Sequence, residues 1–349
     1  MKRAELVVAL ELVAPALGAE NDPIEISKTF VFTGTQVYAH NDTVNGLTII
    51  APCETGDAFA LNGKVLLGLL KNCHSEDVDF ALDVEGHEIT VKAGKSRFKL
   101  PYFGEDDFLF KEPEGKAAFD LTLDATALDA CMLTASRDLA QEGLLGVTLK
   151  MGTDKKMAFY SCDGDAVTRC ALDTKPKDLS VRLPNEFCEG FIRTFRELSA
   201  EQAKMKIIGD DWVQAELNKG VIIYGRLLKT DNPLDHEALI AKTIKGKFAF
   251  KPVPKALDQA LSRARIVADP ETAKTELEIT DGKLLLHTET HMGMVNDAMV
   301  WREHPEIKAD VSAALVQRAI GLCDEMAVLE RCTAYRKGTD LYIVVSHMG

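Results

Sequence analysis

The residues that could carry out chemistry lie in two short segments. Asp163 and Asp165 flank Gly164, and His287 and His291 are separated by three residues. Carboxylates and imidazoles are common metal ligands, so either pair could contribute to a metal site. Carboxylates beside a glycine between strands are more often turn residues, however. The histidine pair lacks the glutamate of the H-E-x-x-H motif and lies in strand-like sequence.

Other signatures of catalysis are missing from the sequence. It has no P-loop, no G-x-S-x-G and no G-x-G-x-x-G between a strand and a helix. Its cysteines lack C-x-x-C spacing, which indicates reduced thiols in a cytosolic protein. They are Cys53, Cys73, Cys131, Cys162, Cys170, Cys188, Cys323 and Cys332. We therefore expect no catalytic residues, no metal and no cofactor, and a metal-dependent enzyme is the weakest interpretation.

Charge and composition limit the possible partners. The 349 residues include 41 Lys and Arg against 54 Asp and Glu, a net charge of −13. This balance excludes a uniformly basic nucleic-acid binder and a polybasic membrane-surface protein. A hydrophobic fraction of 46% with 27% charged residues is typical of a folded soluble chain. No apolar run reaches the roughly 18 residues of a membrane span, so we expect no membrane contact.

The N-terminal segment has two interpretations. Lys2 and Arg3, before an apolar stretch that ends near Ala19, resemble a secretory signal. Glu5 and Glu11 interrupt that stretch, and its apolar residues recur at helical spacing. We favour the amphipathic helix of a cytoplasmic protein.

A helix followed by two strands around a tight turn occurs three times. The predicted segments are helix 3–17 with strands 24–32 and 36–41, helix 126–139 with strands 146–151 and 156–162, and helix 255–268 with strands 274–280 and 283–288. A second helix follows in each repeat, at residues 61–72, 185–197 and 310–320, with Asn62, Asn185 and Asp310 as expected N-caps. The strands predicted after these helices are 78–84, 87–92, 97–100, 205–208, 212–217, 220–226, 327–334 and 341–345.

The repeat predicts an α+β protein of three similar domains, each with two helices backed by antiparallel sheets. Residues 111–116 and 242–254 contain proline, glycine and charge, as joints between domains often do. The predicted domains are residues 1–115, 116–246 and 247–349.

Five segments of the chain have the form of motifs in one known family. They are AGKSRFKLP at 93–101, LLGV at 144–147, SCDGDAV at 161–167, ALSRARIV at 260–267 and YIVV at 342–345. The first resembles a G-x-S-R-F-x-L strand, and the second and third resemble L-N-G and A-T-D-G-x-R-L segments. The fourth is similar to the end of the first helix of a third domain, and the fifth to a final apolar strand. Together they resemble the bacterial DNA polymerase sliding clamp, the β subunit of DNA polymerase III.

Other segments depart from that family. The loop after the first helix, Ala19 to Pro23, is acidic where the family has an Arg-Pro-containing loop. Asp165 and Ala166 stand in place of a basic pair, and the tail Ser346 to Gly349 lacks the usual proline. These differences indicate a divergent member, and a phage- or plasmid-encoded protein would fit them.

The resemblance implies a processivity factor that encircles duplex DNA without reading its sequence, as a ring of two three-domain subunits joined head to tail. Basic residues of the predicted helices would then face the DNA: Lys64, Lys71, Arg137, Arg193, Arg196, Arg263, Arg265 and Arg318. The alternative is that they are only the solvated faces of amphipathic helices. The six predicted helices carry 11 basic and 9 acidic residues, so the excess negative charge lies elsewhere.

The resemblance also implies two protein interfaces. Arg97, Phe98 and Leu100 of one subunit would meet Ile266 and Val267 of the other, although Phe98 and Leu100 could instead fill their own domain's core. DNA polymerase and clamp loader would insert short hydrophobic peptides into a groove. The matching groove residues are Leu144, Cys162, Gly164, Val167, Pro233, Leu239, Ile343 and Val345. Without the resemblance, these residues would be assigned to the core.

A repeat-built scaffold protein that does not bind DNA is the remaining alternative. It would share the three-domain fold but would need no positive surface for DNA.

Overall fold

The fold is α+β, as predicted. The computed structural model describes residues 1–230, 233–244, 248–268, 274–302 and 304–348. The helices are α1 (Arg3–Val13), α2 (Gly63–Lys71), α3 (Thr126–Cys131), α4 (Asn185–Glu197), α5 (His236–Thr243), α6 (Leu257–Val267) and α7 (Ala313–Leu322). None of these described helices is long and apolar enough to cross a membrane.

The strands are all arranged in antiparallel sheets. They are β1 (Thr29–Thr33), β2 (Gln36–Asn41), β3 (Leu47–Pro52), β4 (Ala58–Asn62), β5 (Val78–Asp83), β6 (Glu88–Ala93), β7 (Ser96–Pro101), β8 (Ala117–Leu123), β9 (Val147–Met151), β10 (Met157–Cys162), β11 (Ala166–Ala171), β12 (Ser180–Leu183), β13 (Ala203–Ile208), β14 (Trp212–Glu216), β15 (Ile222–Arg226), β16 (Lys251–Pro252), β17 (Lys274–Thr280), β18 (Lys283–Thr290), β19 (Gly293–Val300), β20 (Ile307–Ser312), β21 (Glu325–Val328), β22 (Cys332–Lys337) and β23 (Leu341–Ser346).

The order of elements repeats three times along the chain. In each repeat, one helix, four strands, a second helix and three strands follow one another. A short extended segment before the first helix pairs with the fifth strand in each case: Lys2 bridges Asp77, β8 pairs with β13, and β16 pairs with β21. The helix α5 stands outside this order. The domain boundaries at residues 115 and 246 stay a prediction.

Backbone contacts divide the chain into two compact units. The first contains residues 1–125 and 186–228. Its eight-stranded sheet has the order β4-β1-β2-β3-β15-β14-β13-β8, and β5, β6 and β7 form a smaller sheet. The helix α1 packs on β2, β3 and α2. Aromatic side chains of residues 103–110 cover the opposite face of the large sheet, where Phe110 contacts Tyr38, Trp212 and Tyr224.

The second unit contains residues 126–185 and 229–349. Its eight-stranded sheet has the order β12-β9-β10-β11-β23-β22-β21-β16, and the order β19-β18-β17-β20 forms a four-stranded sheet. The helix α3 packs on β10 and β11, and α5 also contacts β10. The helices α6 and α7 pack on each other, α6 on β18 and β19 and α7 on β20, β22 and β23.

Each large sheet joins two consecutive repeats at one strand pair. In the first unit, the third strand of repeat one, β3, pairs with the last strand of repeat two, β15. In the second unit, the third strand of repeat two, β11, pairs with the last strand of repeat three, β23. The corresponding strands that remain are β19 and β7. Both are edge strands of their sheets among the described residues.

The structure corrects several helix and strand predictions. The first helix ends at Val13, followed by a 3-10 turn at Ala14–Ala16, and α3 is much shorter than residues 126–139. Segment 327–334 is not one strand but parts of β21 and β22. The side chain of Asn62 caps α2 as predicted, but Ser312, not Asp310, caps α7, because Asp310 still lies in β20.

Candidate functional site

Seven of the eight basic residues expected to face DNA lie on helices, and Arg137 does not. It lies in a loop because the chain leaves the helical path after Cys131. The buried hydroxyl of Thr134 lies 2.8 Å from the Ser161 hydroxyl and 2.9 Å from that of Thr168, on β10 and β11. Satisfying this buried polar group draws the segment onto the sheet and ends α3.

All eight basic residues are exposed, and Lys64, Lys71, Arg193 and Arg263 are among those that form ion pairs with carboxylates. Lys64 pairs with Glu20, Lys71 Nζ lies 2.7 Å from Glu11, Arg193 Nε lies 2.9 Å from Glu197, and Arg263 binds both oxygens of Asp297. Each pair neutralises a positive charge that could otherwise bind a phosphate group.

The side chains of Arg265 and Arg318 have different surroundings. Arg265 donates to the amide oxygen of Gln317 at 2.7 Å. Arg318, near the middle of α7, has no ion-pair partner among the described residues. It is therefore the basic side chain of this set that is most available to an anion.

The net charge of the helices is smaller than predicted. The six helices α1, α2, α3, α4, α6 and α7 carry eight basic and seven acidic residues, because their observed ends exclude Lys2, Arg137 and Lys255 as well as Asp138 and Asp310. Helices with a net charge this close to zero can attract DNA only weakly by electrostatics.

Four of the expected groove residues come together on one face of the large sheet in the second unit. We call the buried residues of this face the sheet-face cluster: Cys162, Val167, Ala327, Leu329, Cys332, Ala334 and Val344. Partly buried side chains pack against it, and we call them its cover: Leu144, Leu234, Leu239, Ile240, Ile244, Phe248, Phe250 and Tyr342. Cys162 and Val167 thus form part of the sheet-face cluster, which would be the floor of a groove. Leu144 and Leu239 form part of its cover.

The other expected groove residues are placed differently. Ile343 and Val345 are fully buried but are not part of the sheet-face cluster. Val167 pairs with Val344 and Thr168 pairs with Ile343, so Ile343 lies on the opposite face, toward the buried Thr134 hydroxyl.

Tyr342 and Val344 occupy the expected face instead of Ile343 and Val345. Gly164 lies in the turn between β10 and β11 with a φ of +100°, and a Cβ there would be 4.0 Å from Leu144. Pro233 is exposed, just before α5.

Aromatic residues beside this cluster were missed by the sequence interpretation. Phe250 contacts Phe248 and Tyr342, and the Arg336 guanidinium lies 4.4 Å from the Phe250 ring centroid. The phenylalanines lie in the segment that sequence analysis treated as a joint between domains. The alternation Phe248-Ala249-Phe250 is the sequence pattern that could have predicted an extended segment with one packed face.

The residues expected at a subunit interface lie on two different elements. Phe98 and Leu100 are partly buried on the inner side of β7, where they pair with Val91 and Ile89. Ile266 is 76% exposed at the end of α6, and Val267 is partly buried. Met292 and Met294, at the start of the edge strand β19, are also exposed and extend the apolar surface near Val267.

The segments that could suggest a metal site have structural roles. Asp163 accepts hydrogen bonds from the backbone N–H groups of Asp165 and Ala166, which makes it a turn residue. His287 lies on β18, with Nδ1 2.5 Å from the amide oxygen of Asn296. Among the described residues, no three side chains of His, Cys, Asp or Glu are grouped so that they could hold a metal ion.

No family model and no curated protein matches the sequence. Solved structures do match it along its whole length. The DNA polymerase III subunit β from Pseudomonas aeruginosa is 17% identical, with a TM-score of 0.84 over 100% of this chain and 98% of that chain. The β subunit from Thermotoga maritima is 15% identical, with a TM-score of 0.81 and the same coverage. A sliding clamp from Bartonella birtlesii, bound to griselimycin, is 15% identical with a TM-score of 0.85, again over 100% and 98%.

The chain therefore has the three-repeat DNA-clamp fold. More specifically, its fold is that of the bacterial DNA polymerase III β subunits, at 15–17% sequence identity.

Proposed function

We propose that this protein is a sliding clamp, a non-catalytic processivity factor that closes around duplex DNA as a head-to-tail homodimer. In this proposal it tethers a DNA polymerase and accepts a clamp loader, in the cytoplasm. The fold supports the proposal, and the strand pairing between repeats carries it.

The strand pairing predicts how a second copy would bind. Twice within the chain, the third strand of one repeat pairs antiparallel with the last strand of the next, as β3 with β15 and β11 with β23. Applied once more, the rule joins β19 of one copy to β7 of another. Such a head-to-tail contact uses two different surfaces, and it gives a closed ring when the rotation between copies closes. Two three-domain copies would complete the ring.

Both edges have side chains suited to being covered. On β19, the exposed residues Met294, Ala298 and Val300 alternate with partly buried ones, and Ile266 is exposed nearby. On β7, Arg97 and Lys99 are exposed on the face opposite Phe98 and Leu100. An uncovered edge strand with apolar side chains is an aggregation hazard, which pairing with a second copy would remove.

A closed ring needs little attraction to stay on DNA. The basic side chains Lys64, Lys71, Arg193, Arg196, Arg263, Arg265 and Arg318 would face the phosphates, with Arg137 contributing from its loop. Because most of the helix charge is balanced, binding would depend on closure of the ring rather than on affinity.

The sheet-face cluster is the proposed partner site. A short hydrophobic peptide of the polymerase or the loader would insert apolar side chains between the cover residues, above Cys162 and Val167. An apolar floor with a few polar groups at its margin suits capture of such a peptide.

Topological retention tests the function directly. A cysteine pair, Lys99→Cys on β7 and Asn296→Cys on β19, joined by a short bismaleimide, should lock the ring after mixing with a nicked circular plasmid. We expect the locked protein to stay on the circle in high salt and to leave when a restriction enzyme linearises it. Equal release from circular and linear DNA would contradict the clamp.

The near-neutral helices favour one second candidate, a scaffold of the same fold that does not bind DNA. In that case the cross-link would still form between copies, but no protein would be retained on the circle.

A further inference from the structure

A polar anchor fixes the start of α5 on the large sheet of the second unit. The hydroxyl of Tyr160 donates to Glu237 Oε1 at 2.6 Å, and the backbone N–H of Thr153 donates to Glu237 Oε2 at 2.9 Å. Arg169 Nε lies 3.5 Å from the same carboxylate and 3.3 Å from the Tyr160 oxygen. Glu237 is therefore surrounded by donors from the turn after β9 and from β10 and β11.

The anchor requires a charged carboxylate. Burial opposes the charge of Glu237, but the hydrogen bonds from Thr153 and Tyr160 and the charge of Arg169 outweigh it and lower its pKa. Hydrogen bonds to a charged acceptor are stronger than those between neutral groups. Their geometry is tight, since a Cβ at Gly152 would lie 2.7 Å from Glu237 Oε1.

Neighbouring residues hold the same end of the helix. Asp235 accepts the backbone N–H of Ala238 at 3.1 Å as the N-cap, and its carboxylate lies 3.6 Å from Lys150 Nζ. The buried ring of His236 packs on Tyr160, with centroids 5.4 Å apart. These contacts fix the first turn of α5 against β10.

The apolar residues of α5 begin directly after this anchor. Leu239 and Ile240, and Ile244 beyond the helix end, belong to the cover of the sheet-face cluster. The floor residue Cys162 follows Tyr160 by two positions on β10 and so shares its face. Tyr160 of the anchor and Cys162 of the floor thus lie on one strand. The cover residues Leu239 and Ile240 lie on the helix that the anchor holds.

We propose that Glu237 is a positioning residue that sets the distance between α5 and the sheet, and thereby the width of the partner groove. The inference rests on the proposed function, because it concerns the peptide site of that function. Glu237 would select among partner peptides without contacting them, because a helix released from the anchor no longer holds Leu239 and Ile240 against the floor.

Substitution of Glu237 in the full-length protein tests this role. The probe is an array of synthetic hexapeptides that carry two apolar residues at varied spacing. We expect Glu237→Ala to weaken the best wild-type binders by about tenfold, the equivalent of about one lost hydrogen bond to a charged group, and to broaden the accepted side chains. Glu237→Gln keeps the bond from Thr153 and should recover part of the affinity. Tyr160→Phe should match Glu237→Gln.

Hydrogen exchange separates positioning from unfolding. Exchange should rise at the amides of α5 in Glu237→Ala and stay unchanged in β10 and β11. Lys242→Gln, which removes an exposed charge from the same helix, is the matched control and should leave both readouts at the wild-type level. Unchanged peptide affinity in Glu237→Ala would overturn the positioning role and leave the clamp function standing. A wild-type protein that binds no hexapeptide would overturn the groove itself, whether or not DNA is retained.

Discussion

Arg263 on α6 and Asp297 on β19 form a two-point ion pair. Arg263 Nη2 lies 2.8 Å from Asp297 Oδ1, and Nε lies 3.0 Å from Oδ2. The hydrogen bond to Asp297 raises the pKa of Arg263. This guanidinium would have to leave its carboxylate to bind a phosphate, whereas Arg318 has no carboxylate to leave among the described residues.

The two arginines should therefore contribute unequally to DNA binding. We expect Arg318→Gln to weaken binding to a duplex oligonucleotide and to reduce the slope of log affinity against log salt by about 0.9, the value of one phosphate contact. Arg263→Gln should have a smaller effect on both. Fluorescence anisotropy at a series of salt concentrations gives both quantities, and equal losses would contradict the ranking.

Removal of paired carboxylates should strengthen DNA binding. In Glu11→Gln with Glu20→Gln, Lys71 and Lys64 lose their partners and become free to bind phosphates. Exposed ion pairs are weak, at about 0–1 kcal/mol, so we expect a modest gain in affinity with a steeper salt dependence. The same anisotropy titration measures it.

Glu85→Gln with Glu114→Gln is the control for net charge, because both residues are exposed and lie outside the helices. If this control raises affinity as much, the effect belongs to total charge and not to the two ion pairs.

Local patterns in the sequence predict both helices and five of the seven strands in each of the first two repeats, but not the third and fourth strands of any repeat. Strand alternation and turn residues predict β2, β10 and β17 almost to the residue, and the N-cap Asn62 predicts the start of α2. The full length of α4 was also predicted, since its apolar face continues from Phe187 to Phe195. These signals lie within a few residues of the element that they define.

Long-range contacts decide what the sequence could not predict. The early end of α3 depends on Thr134 reaching Ser161 and Thr168, which are 27 and 34 residues away. Alternation in the sequence does not show which face of β23 meets the sheet-face cluster, because its residues are apolar on both faces. Ile343 and Val344 look alike in the sequence but lie on opposite faces.

A charge at the exposed end of α6 should prevent dimerisation. Ile266 is 76% exposed beside the edge strand that the proposed second copy would cover. Burying an aspartate there without a partner is costly, so we expect Ile266→Asp to give a monomer of 38.3 kDa by light scattering where the wild type gives twice that mass. Val84 is 63% exposed in the turn after β5, and the control variant Val84→Asp should stay dimeric. A wild-type monomer at micromolar concentration would count against a stable ring.

The N-cap of α7 provides a test of local stability. Ser312 Oγ accepts the backbone N–H of Leu315, whereas Asp310 lies in β20 and pairs with Lys274 at 2.8 Å. We expect Ser312→Ala to destabilise α7 by about 1 kcal/mol, and Asp310→Asn to cost less because its ion pair is partly exposed to solvent. Native-state hydrogen exchange of the α7 amides measures both changes. A larger effect of Asp310→Asn would indicate that the predicted cap matters more than the observed one.

Acid should destabilise the second unit through His236. Burial, together with the charges of Lys150 and Arg182, lowers the pKa of His236 to about 4 from an ordinary value of 6.5. The folded state therefore holds His236 neutral, and its contribution to stability is complete above pH 6.5 and is lost as the pH falls toward 4. The total change is on the order of 3 kcal/mol. Glu237, whose pKa is lowered, adds a loss only below its ordinary value of 4.5.

His236→Phe should remove this pH dependence because a phenyl ring can pack on Tyr160 without taking up a proton. Urea unfolding followed through Trp301, in a Trp212→Phe background, reports on the second unit alone. Between pH 6.5 and 5 the unfolded chain takes up a proton at His236 that the folded anchor does not, while Asp235 and Glu237 have lowered pKa values and stay ionised. The urea midpoint should fall over this range in the parent and fall less in the variant, which keeps His304 and His347, whose pKa values burial also lowers. Parallel curves would assign the acid sensitivity to another group and leave the α5 anchor independent of pH.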